Sequence, residues 1–259
     1  MLYQLRSFFS YWLEAVDEHS LHSPFYYNLY TRVISNDNNQ MQNTFIEEVR
    51  NVLLYDDKVI EFKDFGSGSN GSGTVKRKVN EIARKSLTPQ HFARLYQRLA
   101  DAIKGKKIIE LGTSFGITTM YLAHVKDSTV FSFEGTPEIA TIALRNFRYS
   151  DVNNVELIIG NIEETLPPFL SLLHSVDLVV MDANHRYDAT MKYFKWISQA
   201  VHPGSILIMD DIHYSEEMER AWEEIKNKEG VHGSIDLFRC GLVFFDPSLN
   251  KQHVVLQLN

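Results

Sequence analysis

The run Ile108-Ile-Glu-Leu-Gly-Thr-Ser-Phe-Gly-Ile-Thr-Thr-Met-Tyr-Leu-Ala123 decides the fold. Its head, Lys107 to Leu111, is short and apolar like a buried strand, and its tail opens a helix. A glycine-bearing turn between strand and helix can receive a nucleoside when an acidic residue ends the next strand about 20 residues on. Thr129 to Glu134 reads as that strand, and Glu134 stands 22 residues beyond Gly112. Gly112 lets the backbone turn sharply and approach a ligand, while Glu134 can accept hydrogen bonds from both hydroxyls of a ribose. The alternative is that Gly112 and Gly116 serve only close helix–strand packing. A dinucleotide fingerprint would need G-x-G-x-x-G, and Ser114 stands where its second glycine belongs, which leaves a pyrophosphate without a cradle.

A second glycine-rich run, Asp64-Phe-Gly-Ser-Gly-Ser-Asn-Gly-Ser-Gly73, fails the same test. About 20 residues past Gly66 lies Lys76 to Lys85, which reads as a basic helical stretch and not as an acidic strand end. By composition the run is a flexible loop.

Downstream of Gly105 the alternation continues. Val155 to Ile159, Asp177 to Asp182 and Ser205 to Asp210 read as strands, with helices such as Pro137 to Phe147 and Ala189 to Val201 between them. Apolar strands separated by helical patterns predict a parallel sheet covered on both faces. Ile235 to Arg239 and Gly241 to Phe245 have almost no connection, which predicts an antiparallel hairpin. Upstream the chain reads as mostly helical: Met41, Phe45, Ile46, Val49, Val52 and Leu53 fit one helix face, and Phe92, Leu95, Tyr96 and Leu99 another. Ser23-Pro24 suits a helix start. The expected division is a helical N-terminal cap over residues 1–104, covering the substrate, and a ligand-binding core over residues 105–259.

Composition narrows the partners. A chain of 259 residues with 44% hydrophobic and 23% charged side chains is expected to fold as a globular protein. Its 33 acidic against 26 basic residues, a net charge of -7, disfavour a nucleic-acid partner. Cys240 is the lone cysteine, which excludes an intrachain disulfide and a Cys-built zinc site and suits a reducing cytoplasm. The apolar patch after Arg6 is broken by Glu14 and Asp17 and reads as an amphipathic helix. No run of about 18 apolar residues predicts a membrane span.

Glu110-Leu-Gly112-Thr-Ser-Phe-Gly116 has the form E-L-G-x-x-x-G. With it, residues 105–246 resemble the class I S-adenosylmethionine-dependent methyltransferases, and among them the catechol and caffeoyl-coenzyme A type O-methyltransferases. The resemblance implies an α/β, Rossmann-like methyltransferase fold: a mostly parallel seven-stranded sheet ending in an antiparallel C-terminal hairpin. It implies S-adenosyl-L-methionine as cofactor, held by Glu110, Gly112, Ser114, Gly116, Glu134, Asn161, Ile162 and Asp182. Glu134 maps to the ribose-binding acid, and Gly160-Asn-Ile-Glu163 to the adenine loop, with Asn161 where Asp is frequent. The N-terminal half, with His22-Ser-Pro-Phe25, resembles the cap of uncharacterised bacterial methyltransferase-like proteins.

Asp182 ends the fourth expected strand of the core, and Asp210-Asp211 ends the fifth, 28 residues later. Ligands of open α/β sheets bind at such strand ends. In the catechol-type family an Asp followed at this interval by Asp-Asn binds magnesium, which implies a metal set of Asp182, Asp210 and Asp211. Magnesium takes oxygen ligands and keeps waters that a substrate hydroxyl could displace. The alternative is that Asp182 orients the substrate or the methionine moiety and Asp211 caps a turn; the sequence leaves both open. His185 sits at the offset where that family carries a lysine base, and a histidine, ordinarily titrating at about 6.5, can accept a proton at neutral pH. Packing or pairing over the loop is its alternative role. His213 is a second candidate base, while His19 and His22 read as structural. The loop Asp182-Ala-Asn-His185 is not the Asn/Asp-Pro-Pro-Tyr motif of amino-group methyltransferases.

The expected function is therefore O-methylation of a small hydroxylated acceptor, with His185 and Asp182 catalytic. A non-catalytic S-adenosylmethionine-binding sensor or scaffold is the alternative. An NAD-dependent oxidoreductase is disfavoured by Ser114 and by the terminal hairpin. Expected partners are the small-molecule acceptor and further copies of the chain in a homo-oligomer, with neither nucleic acid nor membrane.

Overall fold

The chain before the first core strand runs α1 (Leu2–Glu14), α2 (Pro24–Leu29), α3 (Thr44–Tyr55), β1 (Val59–Lys63), β2 (Thr74–Lys78), α4 (Val79–Ser86) and α5 (Gln90–Ala102). The core follows as β3 (Lys107–Leu111), α6 (Ile117–Ala123), β4 (Thr129–Glu134), α7 (Pro137–Tyr149), β5 (Val155–Ile159), α8 (Ile162–Leu173) and β6 (Val176–Met181). It ends with α9 (Tyr187–Ile197), β7 (Val201–Asp210), α10 (Glu216–Lys226), β8 (Gly233–Asp236), β9 (Cys240–Phe244) and β10 (Gln252–Val255). This computed structural model describes residues 2–36, 44–63 and 74–258. The glycine-serine run at 64–73 and Met41 lie outside the described residues.

One sheet carries the molecule, in the order β10-β8-β9-β7-β6-β3-β4-β5. The strands β7, β6, β3, β4 and β5 are parallel, and β9 runs antiparallel between β7 and β8. The sheet has eight strands, one more than expected. The addition is β10, which joins the edge in parallel with β8. Its first two residues, Gln252 and His253, are exposed, and the apolar run that follows, Val254-Val-Leu256, is too short to announce a strand. The hairpin strands end earlier than expected, placing Arg239 in the turn. Val201, read as the end of a helix, begins β7.

Alternation along the strands divides the core between the two faces. Ile108, Leu178 and Ile206 face one cluster, with Leu95, Tyr96 and Leu99 of α5 and with Tyr26 and Tyr30. Ile109, Val179 and Leu207 face the other, against Tyr193, Phe194 and Ile197 of α9. Residues on both sides of Gly105 thus share one core. The Tyr26 hydroxyl donates to the Gln252 carbonyl at 3.0 Å, and that of Tyr30 to the Gln257 carbonyl at 2.9 Å.

The stretch at Lys76-Arg77-Lys78, expected to be helical, is strand β2, paired antiparallel with β1. Its side chains alternate between exposed and half-buried, and Lys76 pairs with Glu61 across the ladder at 3.2 Å. Among the described residues no helix is long and apolar enough to cross a membrane.

Candidate active site

The carboxyl ends of β3, β4, β5 and β6 open on a cleft of about 470 Å³. Gly112, Ser114, Glu134, Asn161, Ile162, Asp182 and His185 all line it. At Gly112, with φ +99°, an added Cβ would stand 2.2 Å from the Asp182 carbonyl oxygen. Only glycine allows β3 and β6 to part so narrowly around the cleft floor. Glu134 is held at both oxygens: Ser114 N–H donates to Oε2 and Thr136 N–H to Oε1, each at 2.9 Å. Burial raises its pKa, and the two backbone donors work against that rise. Its remaining lone pairs are those a ribose can use. The Asn161 side chain caps α8 by accepting from Glu163 N–H at 3.1 Å.

Two expected cofactor residues lie elsewhere. Glu110 is 1% exposed and does not line the cleft. It sits beneath the turn, accepting from the hydroxyls of Ser132 and Thr119, and burial pushes its pKa up to about 7. The hydroxyls of Ser132 on β4 and Thr119 on α6 hold its carboxyl group under the turn and out of the cleft. Gly116, with φ +83°, lies at the start of α6, where a Cβ would meet the Phe147 ring at 2.4 Å. Its requirement is packing, the alternative already open for it in the sequence.

The cleft's other wall comes from the chain before β3. Phe62, Arg77, Ile82, Lys85 and Ser86, from β1, β2 and α4, line it. The Ser86 and Ser114 hydroxyls lie 2.8 Å apart, and Thr88 reaches the Asp182 carboxylate at 3.4 Å. The basic run around Arg77 was visible, but its pairing into a hairpin over the Gly112 turn was not.

The carboxylate cluster differs from its expected form. Asp210 is fully buried, and its oxygens are engaged. Oδ1 accepts from the Tyr96 hydroxyl at 2.9 Å and from Asp211 N–H at 3.0 Å, and Oδ2 accepts from Arg239 at 2.9 Å. The second terminal nitrogen of Arg239 lies 3.5 Å from Asp211. Among the described residues, the side chains that bring metal-ligating atoms to within 4.8 Å of one another are Asp182, His185 and Asp211. Magnesium on Asp182, Asp210 and Asp211 therefore does not fit. Asp210 is committed to an arginine, that guanidinium bridges to Asp211, and the remaining group includes an imidazole nitrogen that a hard, oxygen-seeking ion does not favour.

Asp182 is pushed well above the usual carboxyl range by burial and by the charges of Asp210 and Asp211, with Arg239 opposing. His185 Nε2 lies 3.5 Å from its Oδ1. Asn184 and His185 both take positive φ, +67° and +42°, so the loop turns the imidazole back toward the strand ends. His213 is differently engaged: Nε2 lies 2.9 Å from Asp236 and Nδ1 3.5 Å from Glu219. His19 and His22 enter no metal-ligating group among the described residues.

A second cavity, of about 420 Å³, is lined by Gln4, Leu5 and Phe8 of α1 together with His213, Tyr214 and Phe238. Asp211 and Arg239 line both cavities.

A sequence model of the methyltransferase domain matches residues 109–212, from strand β3 and the Gly112 turn through the carboxylate cluster. Residues 109–212 therefore carry a methyltransferase domain. A protein-L-isoaspartate O-methyltransferase of Pyrococcus horikoshii is 26% identical over 173 residues, 65% of this chain and 71% of that protein. A catechol O-methyltransferase of Mycobacterium tuberculosis is 28% identical over 117 residues, 44% of this chain and 51% of that protein. Against the latter, the chain spans about half the relative's length. The chain shares its fold with the O-methyltransferase of Bacillus cereus solved with S-adenosylhomocysteine, at a TM-score of 0.53, 20% identity, and 61% and 81% coverage of the two chains. It likewise shares the fold of an O-methyltransferase of Streptomyces achromogenes involved in tomaymycin synthesis and solved with S-adenosylmethionine. There the TM-score is 0.55, with 20% identity and 62% and 82% coverage.

Proposed function

We propose that this methyltransferase moves the methyl group of S-adenosylmethionine onto an oxygen of a small acceptor at the junction of the two cavities, with His185 taking the proton. One observation carries the reading: the cofactor cleft and the second cavity meet at Asp211 and Arg239, beside His185. In this reading Glu134 holds the ribose, Gly112 and Ser114 pass backbone along the cofactor, Asn161 and Ile162 border the adenine, and α1 covers the acceptor.

The step balances simply. The acceptor O–H gives its proton to His185, the oxygen forms a bond to the methyl carbon, and the C–S pair returns to sulfur to leave S-adenosylhomocysteine. With Nε2 turned to Asp182 at 3.5 Å, Nδ1 is the nitrogen left to take the proton. The fold's main contribution is alignment, holding oxygen and methyl carbon about 3 Å apart and in line with sulfur.

The test is transfer of labelled methyl from S-adenosylmethionine to a panel of phenols, catechols and carboxylic acids. His185→Ala should lower kcat by a factor on the order of 100 and leave S-adenosylhomocysteine affinity unchanged. Full turnover in that variant removes His185 as base. Cofactor binding without S-adenosylhomocysteine formation across the panel overturns the reaction in favour of a sensor or scaffold.

A further inference from the structure

We propose that Arg239 replaces a divalent cation at the transfer point, so that the acceptor oxygen meets a fixed guanidinium and the reaction needs no metal ion. The inference rests on the methyl-transfer reading for its chemistry, but its electrostatic part stands on the cluster alone.

Asp182, Asp210 and Asp211 gather three carboxyl groups at the ends of neighbouring strands, and the two that are to stay ionised beside each other, Asp210 and Asp211, need a cation or a dense donor network. Here the cation is a side chain. Arg239 reaches Asp210 at 2.9 Å and Asp211 at 3.5 Å, so one planar fork spans both carboxylates. Asp210 is fully buried and has no access to a solvent counter-ion, which makes this pairing a condition of its charge.

The fold delivers the arginine. Strand β9 runs antiparallel to β7 with Cys240 opposite Asp210, so the residue preceding Cys240 must lie over the pair Asp210-Asp211. The turn Leu237-Phe238-Arg239 is closed by Leu237 N–H to the Cys240 carbonyl at 2.9 Å. The Phe92 ring packs under the guanidinium at 5.7 Å. A divalent ion at Asp211 would have to share that carboxylate with a group that stays charged at every accessible pH.

The same arginine faces the chemistry. With Asp211 it is common to the cofactor cleft and the second cavity, and its Nε is buried with no hydrogen-bond partner. A planar cation suits an oxygen that develops negative charge as its proton leaves for His185, or a carboxylate that brings its charge with it. A lone hydrated metal would instead select oxygens able to displace its water.

Manganese binding tests the electrostatic part without an acceptor. Paramagnetic relaxation of water protons is followed as Mn²⁺ is added to the full chain with S-adenosylhomocysteine present. Wild type should bind no Mn²⁺ stoichiometrically at the cluster, and Arg239→Gln, which leaves Asp210 and Asp211 uncompensated, should bind it at least about tenfold more tightly. Arg239→Lys should not gain the site. One Mn²⁺ bound tightly by wild type and lost in Asp211→Ala overturns the proposal, and this comparison stands even if Arg239→Gln does not fold. An Arg239→Gln protein that folds and binds Mn²⁺ no better than wild type also overturns it. Methyl transfer that collapses on chelation and returns with metal contradicts it as well. If no transfer is found under any condition, the reaction fails while the Mn²⁺ comparison still decides the role of Arg239.

Discussion

Gly112→Ala should damage both the fold and the cofactor site, and the structure sets the size of each effect. The residue sits at φ +99°, where a side chain costs about 1–2 kcal/mol. The new Cβ would also stand 2.2 Å from the Asp182 carbonyl oxygen. That oxygen belongs to backbone pinned by Asp182 N–H to the Leu111 carbonyl at 2.9 Å, and Gly112 itself donates to the Phe133 carbonyl at 3.0 Å. Relief therefore requires β3, β4 and β6 to separate, an overpacking cost of about 1–3 kcal/mol. The sum, about 2–5 kcal/mol, corresponds to a Tm loss of roughly 4–20 °C for a chain of this size. Gly230 is the control: its φ is +84° and a Cβ would meet nothing within 4 Å, so Gly230→Ala should cost only the backbone term. Thermal unfolding and calorimetric titration with S-adenosylhomocysteine, run on both variants, separate the two contributions. Gly112→Ala should fall below Gly230→Ala in Tm and should lose cofactor affinity, because the same carbonyl shapes the cleft. Equal Tm values and wild-type affinity in Gly112→Ala would refute the reasoning.

Glu110, whose folded pKa lies at about 7 against an ordinary value of 4.5, should make stability fall as pH rises from about 4.5 to about 7, because the unfolded chain releases that proton first. Urea unfolding of Glu110→Gln should show this slope removed; an unchanged slope would place the titration elsewhere. For His213 burial lowers the pKa, but the carboxylates of Asp236 and Glu219 outweigh it and hold the imidazole above its ordinary value. Its stabilising charge is then fully present below about 6.5 and lost as pH rises through the folded value, so His213→Gln should flatten stability on the alkaline side of that point.

The central strands were legible because they are buried on both faces and bounded by turns. Lys107–Leu111, Thr129–Glu134 and Val155–Ile159 fall where the apolar runs place them. The position of Glu134, at the end of β4 and in the cleft beside the Gly112 turn, was legible from spacing. What escaped depends on chain reversal and edges. β10 is a short edge strand, and β2 is a basic strand whose partner lies across a glycine-serine run. Arg239 shows the same limit: a lone arginine in a hairpin turn has no local signature, and its position over Asp210 follows from the antiparallel register of β9 against β7. Glu110 was misplaced for the opposite reason, because a family motif does not say which of its residues point at the ligand.

Calorimetric titration of wild type and Glu134→Ala with S-adenosylhomocysteine tests the account most directly. The carboxylate's hydrogen bonds to the ribose hydroxyls are worth about 1.5–3 kcal/mol, so the variant should bind at least about tenfold more weakly while remaining folded by circular dichroism. Saturable one-to-one binding to wild type with that loss is the predicted result. Unchanged affinity in a folded Glu134→Ala protein, or no binding to wild type, would contradict the claim that the cleft at the ends of β3 and β4 is the cofactor site.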